Sequence, residues 1–131
     1  MSSTSSHLEH HQTQLKELVD TASKLLAMDS FIEEQHNAIH EALCKLCNMP
    51  ADQAFYELGQ DTLCKIVAAW PQLTPMIARD LFWFFGGDGL HYMPDHEIAN
   101  YQKLDEMRYE AESQGRPFDF TAAKGQIFGL H

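Results

Sequence analysis

The sequence predicts an all-α fold, a single compact bundle of about six helices in which two long N-terminal helices precede shorter ones separated by Gly and Pro. Three observations carry that expectation. Every Gly and Pro lies beyond residue 48, so the first part of the chain lacks the residues that most strongly punctuate helices. Val19 and Val67 are the only valines, and no run of alternating β-branched residues offers material for a strand. Apolar residues instead recur at three- and four-residue steps, the period of a helix with one buried face.

A Ser-rich head, residues 1–6, reads as disordered, and one helical domain is expected over 7–131. Leu8, Leu15, Leu18, Val19, Ala22, Leu25 and Leu26 define the apolar face of a first helix ending near Met28. Ser30 is suited to cap a second helix, with Glu33 completing a capping box. Ile32, Ile39, Leu43 and Leu46 form its buried stripe to about Asn48. Pro50 suits the first turn of a short third helix closed by Gly59. A fourth is expected from Asp61 or Thr62 to Pro71. Thr74-Pro75 opens a fifth, apolar nearly all round, that Gly86-Gly87 ends. A sixth begins at Pro94, with Asp95 and Glu97 where negative charge suits the helix dipole, and runs to Gly115. A last short helix is expected from Asp119.

At 131 residues and 44% hydrophobic, the chain has enough material for one core. Its net charge of −10 repels phosphate backbones and anionic membrane surfaces, so nucleic acid is not an expected partner. No stretch approaches the ~20 apolar residues of a membrane crossing, and the first residues lack the positive start and apolar run of a signal peptide. Three cysteines without an export signal read as reduced thiols, consistent with the cytoplasm.

Two regions hold residues of chemical interest. On the second helix His36, His40, Cys44 and Cys47 fall at steps of four, four and three and share a stripe beside the apolar one. A His pair at i, i+4 can chelate a transition metal, and thiolates add soft ligands suited to zinc. At ~1.5 Å rise per residue His36 and Cys47 are about 16 Å apart, so only adjacent members can share an ion. Further ligands would come from Cys64 or His91. Glu33-x-x-His36 also matches half of a carboxylate-bridged di-iron motif, and Asp88-x-x-His91 is the nearest second copy. The candidate metal ligands are therefore His36, His40, Cys44, Asp88 and His91, with zinc or iron as the metal, although no cofactor motif is present.

The second region is the polar segment 86–97. Asp88 and His91 are its candidate catalytic pair, His91 taking a proton while Asp88 orients it. The same segment also reads as a Gly-terminated helix followed by an acid-capped one. Its Asp88, Asp95 and Glu97 disfavour a bound phosphate, and neither a P-loop nor a dinucleotide fingerprint is present. The aromatic surplus offers Phe82, Trp83, Phe85 and Tyr92 as candidate interface residues. With no complete catalytic set, the expected function is a non-catalytic accessory protein, homodimeric, that binds another protein through an apolar groove with an acidic rim. The alternative is a metal-binding or metal-dependent protein joining the second-helix stripe to the 86–97 loop.

Overall fold

The first part of the chain, free of Gly and Pro, forms two helices, the first of them long. In a computed structural model that describes residues 3–28 and 33–129, with side chains from His7 onward, α1 spans Ser3–Met28. Its backbone is already helical from Ser3, inside the head read as disordered. Leu15, Leu18 and Ala22 are buried and Leu8, Val19, Leu25 and Leu26 half-buried, which is the face read from the sequence. His11 joins the buried face at 1% exposed. Five more α-helices follow: α2 (Glu34–Cys47), α3 (Gln53–Ala69), α4 (Arg79–Phe85), α5 (Asp95–Ser113) and α6 (Phe120–Phe128). Two 3₁₀ segments, Thr74–Met76 and Gly87–Tyr92, flank α4. The fold is all-α, with no strand among the described residues. No helix among them is long and apolar enough to cross a membrane. The segment read as one domain holds two compact clusters, one of Gln12–Tyr92 and one pairing the start of α1, through His11, with the chain from Met93 onward.

In the Gln12–Tyr92 cluster α3 is the central element, packing on α2, α4 and the Gly87–Tyr92 segment. Leu43 and Leu46 of α2 meet a core that includes Phe55, Leu63, Ile66 and Trp70. The expected break at Gly59 does not occur: α3 runs unbroken past it. Glycine is needed there for closeness, because a Cβ would overlap the Phe85 ring. The start of α3 also differs from expectation, since Asp52 rather than Pro50 sets it by accepting the Phe55 N–H at 3.1 Å. Replacing Asp52 by Ala is expected to cost about 1 kcal/mol, read as a lower midpoint in urea unfolding.

The single helix expected from Thr74 to Phe85 is interrupted. Ile77 and Ala78 adopt extended backbone, with ψ of 121° and 135°, and Ile77 drops into the core at 4% exposed. After this break α4 starts again, and Asp80 in its first turn is fully buried, accepting the Gln14 amide of α1 at 2.8 Å. Gly86 and Gly87 then take φ of +69° and +66°, which turn the chain sharply, while Gln60 donates to the Phe85 carbonyl left unserved at the end of α4 (2.8 Å). Beyond them the residues read as a loop form the Gly87–Tyr92 3₁₀ segment.

In the other cluster α5 packs on α6. Pro94 is the N-cap of α5 and Asp95 and Glu97 lie in its first turn, as the sequence indicates. Its 19 residues contain neither Gly nor Pro between Pro94 and Gly115. It closes in a Schellman turn: Arg116 N–H bonds to Ala111 O at 2.8 Å and Gly115 N–H to Glu112 O at 3.1 Å. Asp119 caps α6 by accepting the Ala122 N–H. Tyr101 meets Phe128, centroids 5.0 Å apart, and the rings of His7, His10 and His11 pack around Phe120 at 5.4, 4.5 and 5.1 Å.

Candidate functional site

Side by side, α2 and α3 leave a furrow wherever the facing residues are small. Ala38 and Ala42 of α2 and Ala68 and Ala69 of α3 occupy those positions, with Ile39 and Leu58 beneath them. The result is an open groove of about 370 Å³. Gln35, Asp61, Thr62 and Lys65 complete its lining. The Thr62 hydroxyl is already donated to Leu58 O at 2.7 Å, and Lys65 pairs with Asp61 at 2.8 Å across an exposed helix turn. At ~100° per residue, Glu34 and Glu41 fall on the outer side of Ala38, and Glu57 on the outer side of Leu58. All three are exposed, as are Asp61, Lys45 and Lys65. Four carboxylates thus flank the apolar floor against two lysines, one of them already paired.

The His36–Cys47 stripe is on one side of α2, but its members do different work. His36 is buried at 6% exposed and stacks on Trp70, ring centroids 4.6 Å apart and planes at 11°. Its Nε2 lies 3.2 Å from Ala69 O, and its Nδ1 accepts the Glu33 N–H at 3.4 Å. A single tautomer, with the proton on Nε2, serves both bonds. Glu33 and His36 thereby form the capping box of α2. The sequence assigned Glu33 to a box with Ser30, but Glu33 is itself the N-cap, and Ser30 and Ile32 lie outside the described residues.

One turn on, His40 Nε2 lies 2.8 Å from Ser23 Oγ of α1 and 3.7 Å from Cys44 Sγ. Burial pushes the Cys47 thiol above its usual range, and Cys44 and Asp20 add to this while Lys16 opposes it. These residues make a small polar cluster where α1 meets α2. Neither Ser23 nor Lys16 carries a sequence signal of its own, because each is one polar residue on an exposed helix face.

Asp88 and His91 are both exposed on the Gly87–Tyr92 segment, and neither lines the α2–α3 groove. The charge of Asp88 acts on Cys64, whose thiol is raised first by burial and then by Asp88 and Asp61. Among the described residues no group of three or more His, Cys, Asp or Glu converges on a point that suits a metal ion. The set His36, His40, Cys44, Asp88 and His91 is therefore not assembled around one centre.

Of the aromatic residues expected at an interface, Phe82 and Phe85 are core, at 2% and 3% exposed. Phe85 packs among Phe55, Tyr56 and Phe84, and Phe82 lies against Tyr92 and beneath the Arg79 guanidinium. A seven-residue helix that packs on α3 and on the 3₁₀ segment buries two of its four rings within its own cluster. Trp83 is half-buried and Tyr92 43% exposed, so these two keep surface to offer.

An all-α scaffold with a helix-lined apolar groove defines a helical protein whose recognisable surface is a groove between helices rather than a cluster of ligating side chains. The chain belongs to the PA2817-like family, whose model matches residues 3–131. No curated protein and no solved structure matches it.

Proposed function

We propose that this protein is a non-catalytic accessory protein of the cytoplasm that binds a partner protein by accepting one of its amphipathic helices, with basic flanks, in the α2–α3 groove. The observation that carries this reading is the open apolar floor of Ala38, Ile39, Ala42, Leu58, Ala68 and Ala69 between carboxylates. Its polar lining is largely spent on internal bonds, through Thr62 and the Lys65–Asp61 pair, which disfavours a small polar ligand that needs orienting groups. Alanines on both walls let a helix approach closely, and its apolar side chains would fill the furrow. Glu34, Glu41, Glu57 and Asp61 favour Lys or Arg on the flanks of that helix and speed its encounter. A second copy of this chain, at −10, is a poor occupant for the same reason, so a homodimer would use another surface, with Trp83 and Tyr92 available.

Two synthetic helical peptides with one Leu face test the groove, one flanked by Lys and the other by Glu. The Lys-flanked peptide is expected to bind at least ~10-fold more tightly, to weaken as salt rises, and to lose binding to the Ala38→Arg variant, whose substitution at an exposed helix position leaves the fold intact. Equal binding of both peptides, or undiminished binding by Ala38→Arg, would overturn the proposal. Light scattering on the free protein separates self-association from this binding.

A further inference from the structure

We propose that Cys44 and Cys47 form a dithiol site for thiol–disulfide exchange with small disulfides, in which Cys44 is the attacking thiol, His40 its base, and Cys47 the resolving thiol. The site stands apart from the groove reading and does not depend on it. Its geometry is that of a nucleophile beside a base: His40 Nε2 lies 3.7 Å from Cys44 Sγ, within reach for a thiol hydrogen bond, and Ser23 Oγ of α1, 2.8 Å from the same nitrogen, shares its lone pair and must release it when Nε2 takes the thiol proton. All three cysteines are free and half-buried, so a small disulfide can reach them. Cys47, whose thiol is pushed up by burial and by its neighbour Cys44, stays protonated longer and suits the second step.

In the first step His40 Nε2 takes the Cys44 proton, and Cys44 sulfur attacks one sulfur of the small disulfide RSSR. The S–S bond of RSSR breaks, and the departing thiolate takes up a proton to become RSH. In the second step Cys47 loses its proton and attacks Cys44 sulfur, displacing the remaining RS⁻ as RSH. The protein dithiol is oxidised to a disulfide and RSSR is reduced to two RSH, with atoms and electrons in balance. Helical neighbours three apart place their Cβ atoms about 5–6 Å from each other, whereas a disulfide needs roughly 3.5–4.5 Å. The last turn of α2 must therefore loosen. Cys47 is the final residue of that helix, and Asn48 beyond it has already left helical geometry (φ −112°, ψ 4°), so the loosening is confined to the helix end.

Cys64 is an internal comparison, a half-buried thiol held up by burial and by Asp88 and Asp61. With oxidised glutathione as the probe and the full chain as substrate, Cys44 is expected to react at least ~10-fold faster than Cys64. In a Cys64→Ser background the mass should fall by H₂. Trypsin, which cuts after Lys45, should then release the two flanking peptides joined by a disulfide. Adding Cys47→Ser should arrest the reaction as a glutathione adduct on Cys44, and His40→Ala should slow adduct formation ~10-fold or more while circular dichroism stays unchanged. Ser23→Ala, which frees the Nε2 lone pair, should not slow it. Reaction of Cys44 no faster than Cys64, or an unchanged rate in a folded His40→Ala protein, would overturn the proposal. If His40→Ala fails to fold, the comparison of Cys44 with Cys64 in the unaltered chain decides it.

Discussion

Gly59→Ala is expected to destabilise the protein by roughly 2 kcal/mol, although alanine gains about 1 kcal/mol over glycine in a helix interior by propensity alone. The Cβ would fall on Cε1, Cδ1 and Cζ of Phe85. That ring is 3% exposed and hemmed in by Phe55, Tyr56 and Phe84, so it has no free direction in which to rotate. Relief must come from moving α4 away from α3, which also strains the Gln60 bond to Phe85 O. A thermal melt should show Tm falling by roughly 5–10 °C. Because the cost arises from one contact, it should shrink when Phe85 is first shortened to Leu, and the double variant should be less destabilised than the sum of the singles. A rise in Tm for Gly59→Ala alone would mean that α4 does not pack on α3 through this ring.

Gly59 also shows where sequence reading stops. A glycine that follows a helical pattern opened at Pro50 looks locally like a stop signal, and Asp61 or Thr62 looks like a new cap. Only the packing of a residue 26 positions later shows that this glycine is a point of close approach. Features with purely local causes were legible: the face of α1, the end of α2 near Asn48, the turn at Gly86-Gly87, Pro94 before α5, and Asp119 before α6. The break at Ile77–Ala78 was not, because two apolar residues there read as helix while the core draws Ile77 out of it.

The candidate site divides along the same line. Helical spacing put His36, His40, Cys44 and Cys47 on one side of α2, but spacing along one helix says nothing about the partners across from it. Trp70 and Ala69, which engage His36, arrive from the far end of α3, and Ser23, which meets His40, comes from α1. The groove's place between α2 and α3 was not legible in the sequence. Its alanines carry no signal in themselves, since alanine is common in any helix, and become a feature only when two helices bring them together.

The contrast within the stripe yields the second large effect. His36→Ala is expected to destabilise the protein by roughly 2–3 kcal/mol, by removing the reciprocal half of the α2 capping box, the hydrogen bond to Ala69 O and the stacking partner of Trp70 at once. His40→Ala, four residues on, removes one exposed contact to Ser23 and one thiol contact, and its cost should stay near 0.5 kcal/mol. Urea unfolding of the two variants measures the difference, and running it with added zinc and again with a chelator separates the possible origins. If His36 serves as cap and stack, its loss costs the same in both media, and the unaltered protein melts alike in both. If His36 is instead a metal ligand, the chelator should lower the stability of the unaltered protein and leave the variant unmoved. His36→Gln sharpens the point. Its amide can replace a hydrogen bond but not a ring stacked at 11° on Trp70, so a partial rescue assigns the remainder of the loss to that stack.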